Sequence, residues 1–132
     1  MSVQAAMWSG GPILVIEDEP SVIAFLRAAL QRKGYAVENA ASGAEGIERL
    51  QSGRYAGVIS DIRMPGAING AEVHSWIQKN RPELSSRIIL ISGDTANGET
   101  QTLLAQSGTP CIEKPFRVQQ LISIVEKTFG KP

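Results

Sequence analysis

The sequence predicts an α/β domain built on a five-stranded, doubly wound parallel sheet, with helices on both faces. Three observations support this prediction. Short β-branched runs without polar alternation recur along the chain, as in strands that are buried on both faces of a parallel sheet. Segments of helical periodicity separate these runs. The chain has 132 residues, 42% of them hydrophobic, which suits one globular domain with a substantial core.

Five segments are predicted to be strands. The first, third and fourth are the apolar runs Ile13–Ile16, Gly57–Ile59 and Ile88–Ile91. The second, Tyr35–Asn39, alternates more between apolar and polar residues, which indicates a strand at the edge of the sheet. Cys111–Ile112 is a short fifth candidate. Because strands and helices alternate strictly, we expect parallel strands joined by right-handed crossovers.

The first predicted helix has clear boundaries in the sequence. Pro20 suits its first turn, and Gly34 suits the position just after its end. The residues between them repeat with helical spacing, so that one face is apolar. That face consists of Val22, Ile23, Phe25, Leu26, Ala29 and Leu30.

Four further helices follow the later strands. Ser42 and Glu45 have the spacing of a capping box at the start of the second helix, and Asn69 and Glu72 repeat that spacing before the third. A weaker fourth helix is predicted around Leu103–Leu104. The fifth has an apolar face formed by Val118, Leu121, Ile122 and Val125.

Composition excludes several classes of protein. Thirteen basic residues balance thirteen acidic ones, which argues against direct nucleic-acid binding or contact with an anionic membrane. The single cysteine, Cys111, excludes an internal disulfide framework and a cysteine-cluster zinc site, and it favours a reducing, cytoplasmic location. No apolar run approaches the roughly 20 residues that span a bilayer.

The two ends of the chain are predicted to lie outside the folded domain. Met1–Pro12 has neither the basic nor the apolar part of a signal peptide. We expect residues 1–11 to be a linker or a cloning remnant, residues 12–129 to form the domain, and residues 130–132 to be a short tail.

Polar residues follow the predicted strands at their carboxyl ends. Glu17 and Asp18 follow the first strand, Asp61 the third, Ser92 the fourth and Lys114 the fifth. In open α/β sheets ligands bind at these ends, where the strand order reverses. If the first and third strands are neighbours there, Asp18 and Asp61 converge.

Such a set of side chains suits phosphoryl chemistry with a divalent cation. Neighbouring carboxylates repel one another unless a cation joins them, and their hard oxygen atoms favour Mg²⁺ over zinc. An aspartate can accept a phosphoryl group as an acyl phosphate. Lys114 supplies a compact positive charge for that group, and Ser92 a hydroxyl hydrogen bond.

At five segments the sequence resembles the receiver domains of bacterial two-component response regulators. The resemblance covers about residues 12–129 and implies a flavodoxin-like (βα)5 fold with strand order 2-1-3-4-5. The segments that carry it are Ile13–Pro20, Ser60–Pro65, Asn69–Gly70, Ile88–Asp94 and Glu113–Phe116.

The resemblance implies Mg²⁺ ligands and a phosphoacceptor. Asp61 matches the phosphoacceptor and also a metal ligand. Asp18 matches the direct Mg²⁺ carboxylate, and Glu17 matches its acidic neighbour, which acts through a metal-bound water. Arg63 matches the residue whose backbone carbonyl completes the protein ligands.

The resemblance also implies roles on the fourth and fifth strands. Ser92 matches the hydroxyl that moves towards the phosphoryl group on switching. Lys114 matches the lysine that pairs with the phosphoryl group. Pro115 matches a proline that commonly follows a cis peptide bond.

The sequence departs from the usual receiver pattern at several positions. Cys111 stands where the best-known members carry a switch aromatic residue. Glu17 replaces the commoner aspartate, and the loop Met64–Gly70 is one residue longer than usual. The stretch Gly108–Phe116 is more similar to receivers attached to sensor histidine kinases than to those of DNA-binding regulators.

The implied function is that of a phosphorelay receiver. A histidine kinase or phosphotransfer domain would pass a phosphoryl group to Asp61, and the surface of the fourth helix, fifth strand and fifth helix would carry the output. The domain would catalyse its own phosphorylation and dephosphorylation without turning over an external metabolite. A hybrid histidine kinase is the favoured context, with a stand-alone single-domain response regulator as the alternative.

Three other functions are weighed against this one. A small Mg²⁺-dependent aspartyl phosphatase would carry a second aspartate where Arg63 stands. A flavodoxin-like cofactor module would place phosphate against Glu17–Glu19, which would repel it. A degenerate receiver would lack some of the main site residues. The oligomeric state stays open between a monomer and a weak dimer.

Two further residues have structural interpretations. His74, the only histidine, is expected on a helix surface away from the strand ends. Cys111 is expected to be a small buried apolar residue.

Overall fold

The computed structural model describes residues 11–63, 68–93, 101–102, 104–105 and 108–132. Its strands form a single five-stranded parallel sheet in which the first strand lies between the second and the third. They are β1 (Ile13–Ile16), β2 (Val37–Ala40), β3 (Gly57–Asp61), β4 (Ile88–Ser92) and β5 (Cys111–Glu113). The order β2-β1-β3-β4-β5 confirms the predicted fold class and strand order.

Helices connect the strands, and their bounds agree with the periodicity. The helices are α1 (Pro20–Arg32), α2 (Gly43–Ser52), α3 (Gly70–Asn80) and α4 (Val118–Phe129), with a 3₁₀ turn at Pro82–Leu84. The helix α4 is the fifth predicted from the sequence. At the predicted fourth helix, residues 101, 102, 104 and 105 are helical, whereas Leu103 lies outside the described residues.

The sheet separates two apolar layers. Side chains of β1, β3 and β4 alternate between these layers, so all three strands are buried along their whole length. One layer contains residues of α1 and α4, and the other contains residues of α2 and α3. Burial on both faces explains why the three strands lack polar alternation.

Helix ends form as the sequence predicts. The Ser42 side chain accepts a hydrogen bond from the backbone N–H of Glu45 at 3.1 Å. The Asn69 side chain accepts one from the N–H of Glu72 at 3.0 Å. Each bond satisfies a backbone donor that the first helical turn leaves unpaired. Gly34, just beyond α1, has a φ of 92°, which favours glycine.

The start of the second strand differs from the prediction. Tyr35 does not belong to β2, because its backbone N–H still bonds to the carbonyl of Leu30 at the end of α1, at 3.1 Å. Its buried ring reaches across the fold, and its hydroxyl donates to the carbonyl of Gly130 at 2.5 Å. Tertiary packing, and not strand pairing, therefore explains the apolar residue at position 35. The pairing of β2 with β1 begins at Val37.

Phe25 is more exposed than its place in the apolar pattern predicts. The buried residues of α1 are Leu26, Ala29 and Leu30, whereas Phe25 is 36% exposed. Its ring packs edge-on against Phe116, with 5.5 Å between the ring centroids. Phe25 thus lies at the border of the apolar face, against the segment that follows β5.

The expectation that His74 lies on a helix surface is wrong. Its side chain is 4% exposed, and its Nε2 lies 2.9 Å from Oγ1 of Thr109. His74 shares the buried face of α3 with Gly70, Val73 and Ile77. Burial lowers the pKa of His74 below its ordinary value, which favours the neutral ring.

No helix in the described part of the chain is both long enough and apolar enough to cross a membrane.

Candidate functional site

The strand order brings the predicted site residues to one edge of the sheet. Ile16 of β1 is in register with Ser60 of β3, so the residues that follow them, Glu17 and Asp61, emerge side by side. Ser92 ends β4 opposite Glu113 of β5. The strand order reverses next to β1, which is where open α/β sheets bind ligands.

Three carboxylates meet at this edge. Glu17 and Asp61 are buried, with 1% and 7% of their surface exposed, whereas Asp18 is exposed. One oxygen atom of each of the three side chains lies within 4.8 Å of the others. The structure therefore brings together all three carboxylates that the sequence singled out.

The Glu17 side chain fixes the loop that follows β1. Its Oε1 accepts hydrogen bonds from the backbone N–H groups of Asp18 and Glu19, at 3.2 and 3.1 Å. Its buried Oε2 accepts no hydrogen bond from any residue that the structure describes, although Nζ of Lys114 lies 3.3 Å away. Burial, supported by the charge of Asp61, raises the pKa of Glu17.

Both carboxylate oxygens of Asp61 have partners. Oδ2 accepts a hydrogen bond from Nζ of Lys114 at 2.9 Å, and Oδ1 accepts one from the backbone N–H of Arg63 at 3.2 Å. The Arg63 side chain is exposed. Arg63 therefore contacts the site through its backbone N–H and not through its guanidinium group.

Lys114 is held in place by the end of β5. Its backbone N–H donates to the carbonyl of Ser92 at 2.8 Å, and its peptide bond to Pro115 is cis, as the resemblance implies. Burial alone would lower the pKa of Lys114, but its contacts with Asp61 and Glu17 outweigh burial and raise it. Lys114 therefore stays a cation between two buried carboxylates.

Ser92 and Cys111 occupy neighbouring strands beside the carboxylates. Ser92 is buried, with 3% of its surface exposed. Cys111 is half-buried rather than buried as expected. Burial, with smaller contributions from the charges of Glu113 and Asp61, raises the pKa of the Cys111 thiol and favours its neutral form. Of the predicted longer loop, residues 64–67 lie outside the described part of the chain.

One residue next to the site, Asn39, was not predicted from the sequence. Nδ2 of Asn39, near the end of β2, lies 3.0 Å from the carbonyl oxygen of Val15 and 3.4 Å from that of Glu17. In the sequence, an asparagine in an edge strand cannot be told from an ordinary solvent-facing residue. Only the pairing of β2 with β1 places it against the segment that leads into the site.

The donor atoms suit a divalent cation. Three carboxylates with one lysine leave a net negative charge, and one buried carboxylate oxygen lacks a hydrogen bond among the described residues. Carboxylate oxygens without imidazole or thiolate are the ligands of Mg²⁺ and similar hard cations. Glu17, Asp18 and Asp61 thus fit the Mg²⁺ that is expected from the sequence.

A cavity of about 380 Å³ opens beside Lys114. It lies between the start of α1 and the segment that follows β5. Its walls combine apolar and polar side chains, so it offers a partner both packing surface and hydrogen-bonding groups. The walls include Glu19, Val22, Phe25, Lys114 and Phe116.

Comparison with known proteins gives a consistent result. A family model described as the response regulator receiver domain matches residues 13–126. The transcriptional regulatory protein TcrA of Mycobacterium tuberculosis is 30% identical over 115 residues, which cover 87% of this chain and 44% of TcrA. The sensor kinase CckA of Brucella abortus is 31% identical over 121 residues, which cover 90% of this chain and 12% of CckA. The chain thus spans less than half the length of either relative.

A solved structure shows the same fold. The crystal structure of the response regulator TrrA from Thermotoga maritima, in complex with Mg²⁺ and beryllium fluoride, aligns with a TM-score of 0.76 and 34% identity. The alignment covers 89% of this chain and 98% of TrrA.

Proposed function

Because the chain belongs to the response regulator receiver domain family of two-component signalling, we propose that Asp61 is its phosphoacceptor. The phosphoryl group would come from the phosphohistidine of a histidine kinase or phosphotransfer domain. The observation that carries this proposal is the position of Asp61, buried at the end of β3 with Nζ of Lys114 at 2.9 Å and two further carboxylates beside it.

Mg²⁺ is proposed as the cofactor. Its protein ligands would be the carboxylates of Asp18 and Asp61 and the backbone carbonyl of Arg63, with Glu17 acting through a metal-bound water. When bound, the ion would offset the negative charge that the carboxylates and the incoming phosphoryl group bring together. The oxygen-only donor set supports this choice of metal.

The transfer itself is a displacement at phosphorus. A carboxylate oxygen of Asp61 forms a bond to phosphorus while the bond between phosphorus and the donor imidazole nitrogen breaks, and that nitrogen keeps the electron pair. The product is an acyl phosphate on Asp61. Because Lys114 already lies against Asp61 as a cation, it is placed to pair with a phosphoryl oxygen.

Switching would begin at Ser92. Its hydroxyl lies at the end of β4, next to the strand that Lys114 follows, and would donate a hydrogen bond to the new phosphoryl group. The surface formed by the predicted fourth helix, β5 and α4 would respond. Cys111 occupies that surface where an aromatic residue is usual, so the response in this chain proceeds without an aromatic rotamer change at position 111.

We further propose that the receiver domain comprises residues 12–129 and belongs to a hybrid histidine kinase. The similarity to the sensor kinase CckA, which extends over 121 residues, supports this context. A stand-alone single-domain regulator is the second candidate, supported by the similarity to TrrA, of which the alignment covers 98%. The complete reading frame separates the two, because a kinase would encode further catalytic domains.

Phosphorylation by a small donor tests the central role of Asp61. The parent protein, incubated with acetyl phosphate and Mg²⁺, is expected to gain one phosphoryl group by intact-mass spectrometry, and EDTA is expected to prevent it. Asp61→Asn should gain none, whereas the exposed control Glu83→Gln should behave as the parent does. Equal phosphorylation of Asp61→Asn would refute the assignment, and steady release of phosphate from an external ester would favour the phosphatase instead.

A further inference from the structure

We infer that Asn39 is a positioning residue for the Mg²⁺ ligands and acts through the main chain of Glu17. The inference rests on the proposed function, since it concerns the metal site of that function. The hydrogen bonds of the Asn39 amide go to main-chain carbonyls of β1, of β2 and of Glu17, which follows β1, and not to a carboxylate. Its influence on the ligands is therefore indirect.

The orientation of the Asn39 amide follows from its surroundings. Nδ2 lies 3.0 Å from the carbonyl oxygen of Val15, 3.4 Å from that of Glu17 and 3.3 Å from that of Ala40. The two hydrogens of the NH₂ group are shared among these three acceptors. A rotated amide would place Oδ1 against three carbonyl oxygens, so the amide has one favourable orientation.

These contacts lie where β1 becomes the site loop. The ladder between β1 and β2 ends at Ile16 and Ala40, and the N–H of Glu17 then donates to the carbonyl of Ala40 at 3.0 Å. Nδ2 of Asn39 donates to the carbonyl of Glu17, which is part of the peptide bond between Glu17 and Asp18. Together the two bonds fix the main chain of Glu17 on both sides of its Cα atom.

Fixing this main chain matters because few other contacts from the described part of the chain hold Asp18. Asp18 is exposed, so core packing does not set the direction of its carboxylate. The loop is otherwise held by the Glu17 side chain, which accepts from the N–H groups of Asp18 and Glu19 and is itself a member of the carboxylate cluster. Asn39 is an anchor outside that cluster.

Mg²⁺ makes its ligands sensitive to such an anchor. The ion requires near-octahedral geometry with short bonds, so a small rotation of a carboxylate weakens binding. Loss of groups that orient metal ligands typically costs 10–100-fold in metal affinity. Because Asn39 acts through the main chain, we expect Asn39→Leu to weaken Mg²⁺ binding by about tenfold, at the lower end of this range.

The test is a titration of the intact protein with MgCl₂, followed by the amide resonances of residues 17–19 and 61 in two-dimensional NMR spectra. The variants are Asn39→Leu, which keeps the volume but loses the donor, and Asn39→Ala, a second variant with the same expected result. Asn80→Leu is the matched control, because Nδ2 of Asn80 also donates to a main-chain carbonyl, that of Trp76, at 3.0 Å. Asn80 lies at the end of α3 remote from Asp61.

The expected result is a tenfold higher Mg²⁺ dissociation constant for both Asn39 variants and an unchanged one for Asn80→Leu. A purely structural role would lower the denaturation midpoint in EDTA and leave the dissociation constant of the folded protein unchanged. A constant within twofold of the parent in a folded Asn39 variant overturns the inference and leaves the proposed function intact. A parent that shows no Mg²⁺-dependent shifts at residues 17–19 and 61 overturns both.

Discussion

Nζ of Lys114 lies 2.9 Å from Oδ2 of Asp61 and thereby joins the end of β5 to the end of β3. The same nitrogen lies 3.3 Å from Oε2 of Glu17. Lysine thus balances part of the charge of two buried carboxylates in the absence of metal. This position has a consequence for stability, because removal of the lysine leaves both carboxylates without their cation.

Lys114→Gln is expected to destabilise the metal-free protein by about 1–3 kcal/mol, the cost of leaving a buried polar group without its partner. Mg²⁺ should restore most of that loss, since the metal would supply the missing positive charge. The measurement is urea denaturation in EDTA and in MgCl₂, with the exposed Lys127→Gln as control. An equal loss in both conditions would show that Lys114 and the metal do not share the same carboxylates.

The stability of the domain should decrease on acidification because of His74. Burial lowers its pKa in the folded state, so the unfolded chain binds the proton more readily. The stabilisation is then complete above the unfolded pKa of about 6.5, begins to decrease below it, and is lost as the pH falls through the lower pKa of the folded state.

His74→Gln should lose less stability than the parent between pH 7.5 and 5.5, because glutamine does not titrate. Denaturation curves at several pH values measure the difference between the two proteins. The raised pKa of Glu17 acts in the opposite direction, but it is common to both proteins and cancels in the difference. Parallel pH profiles would contradict the buried, neutral state of His74.

Gly70 is expected to tolerate no side chain. A Cβ atom there would lie 2.5 Å from the carbonyl oxygen of Asp61 and 2.7 Å from Cα of Ile62, and both are main-chain atoms. Gly70→Ala should therefore cost about 1–3 kcal/mol by overpacking and slow phosphorylation by acetyl phosphate at least about tenfold by displacing Asp61.

Gly93→Ala is the matched control for this substitution. Gly93 follows β4 beside the same site, but the nearest neighbour of its Cβ among the described residues would be Cδ of Lys114 at 4.0 Å. Its stability should stay within about 0.5 kcal/mol of the parent. Denaturation and phosphorylation rates of the two variants give the comparison, and an equal effect at both positions would refute the argument from close contact at Gly70.

Phe25 is expected to contribute to recognition of a protein phosphodonor. Its partly exposed ring packs against Phe116 beside the cavity next to Lys114. Phe25→Ala should therefore reduce kcat/KM for a phosphorylated histidine-containing donor protein by about tenfold, as for an interface hot spot. The rate with acetyl phosphate should not change, because that donor is too small to need the ring. Equal losses with both donors would indicate a defect in the site itself.

Much of the fold was predictable because the local and tertiary signals agree. The runs that became β1, β3 and β4 are buried on both faces, and this burial leaves a pattern in the sequence. The caps at Ser42 and Asn69 depend on residues three positions apart, so a local reading finds them. The carboxyl ends of parallel strands lie at one edge of the sheet. The positions of the strands alone therefore predicted that the three carboxylates lie together.

The features that were missed depend on contacts distant in the sequence. His74 lies four residues after Gly70 and three before Ile77, which is the spacing of the buried face of α3. This spacing could have predicted its burial, but histidine is polar and was therefore assigned to the surface. Tyr35 and Asn39 offered no such signal. The contacts of Tyr35 with Gly130 and of Asn39 with Glu17 exist only once the helices and strands have packed.

Mapping the acyl phosphate tests the central claim most directly. Protein phosphorylated by a phosphohistidine donor in Mg²⁺ is reduced with borohydride, which converts an aspartyl phosphate to homoserine, and its peptides are sequenced by mass spectrometry. We predict homoserine at position 61 in the parent and none after phosphorylation is attempted in EDTA. Homoserine at another aspartate, or an unmodified Asp61 in protein that carries the phosphoryl group, would contradict the account.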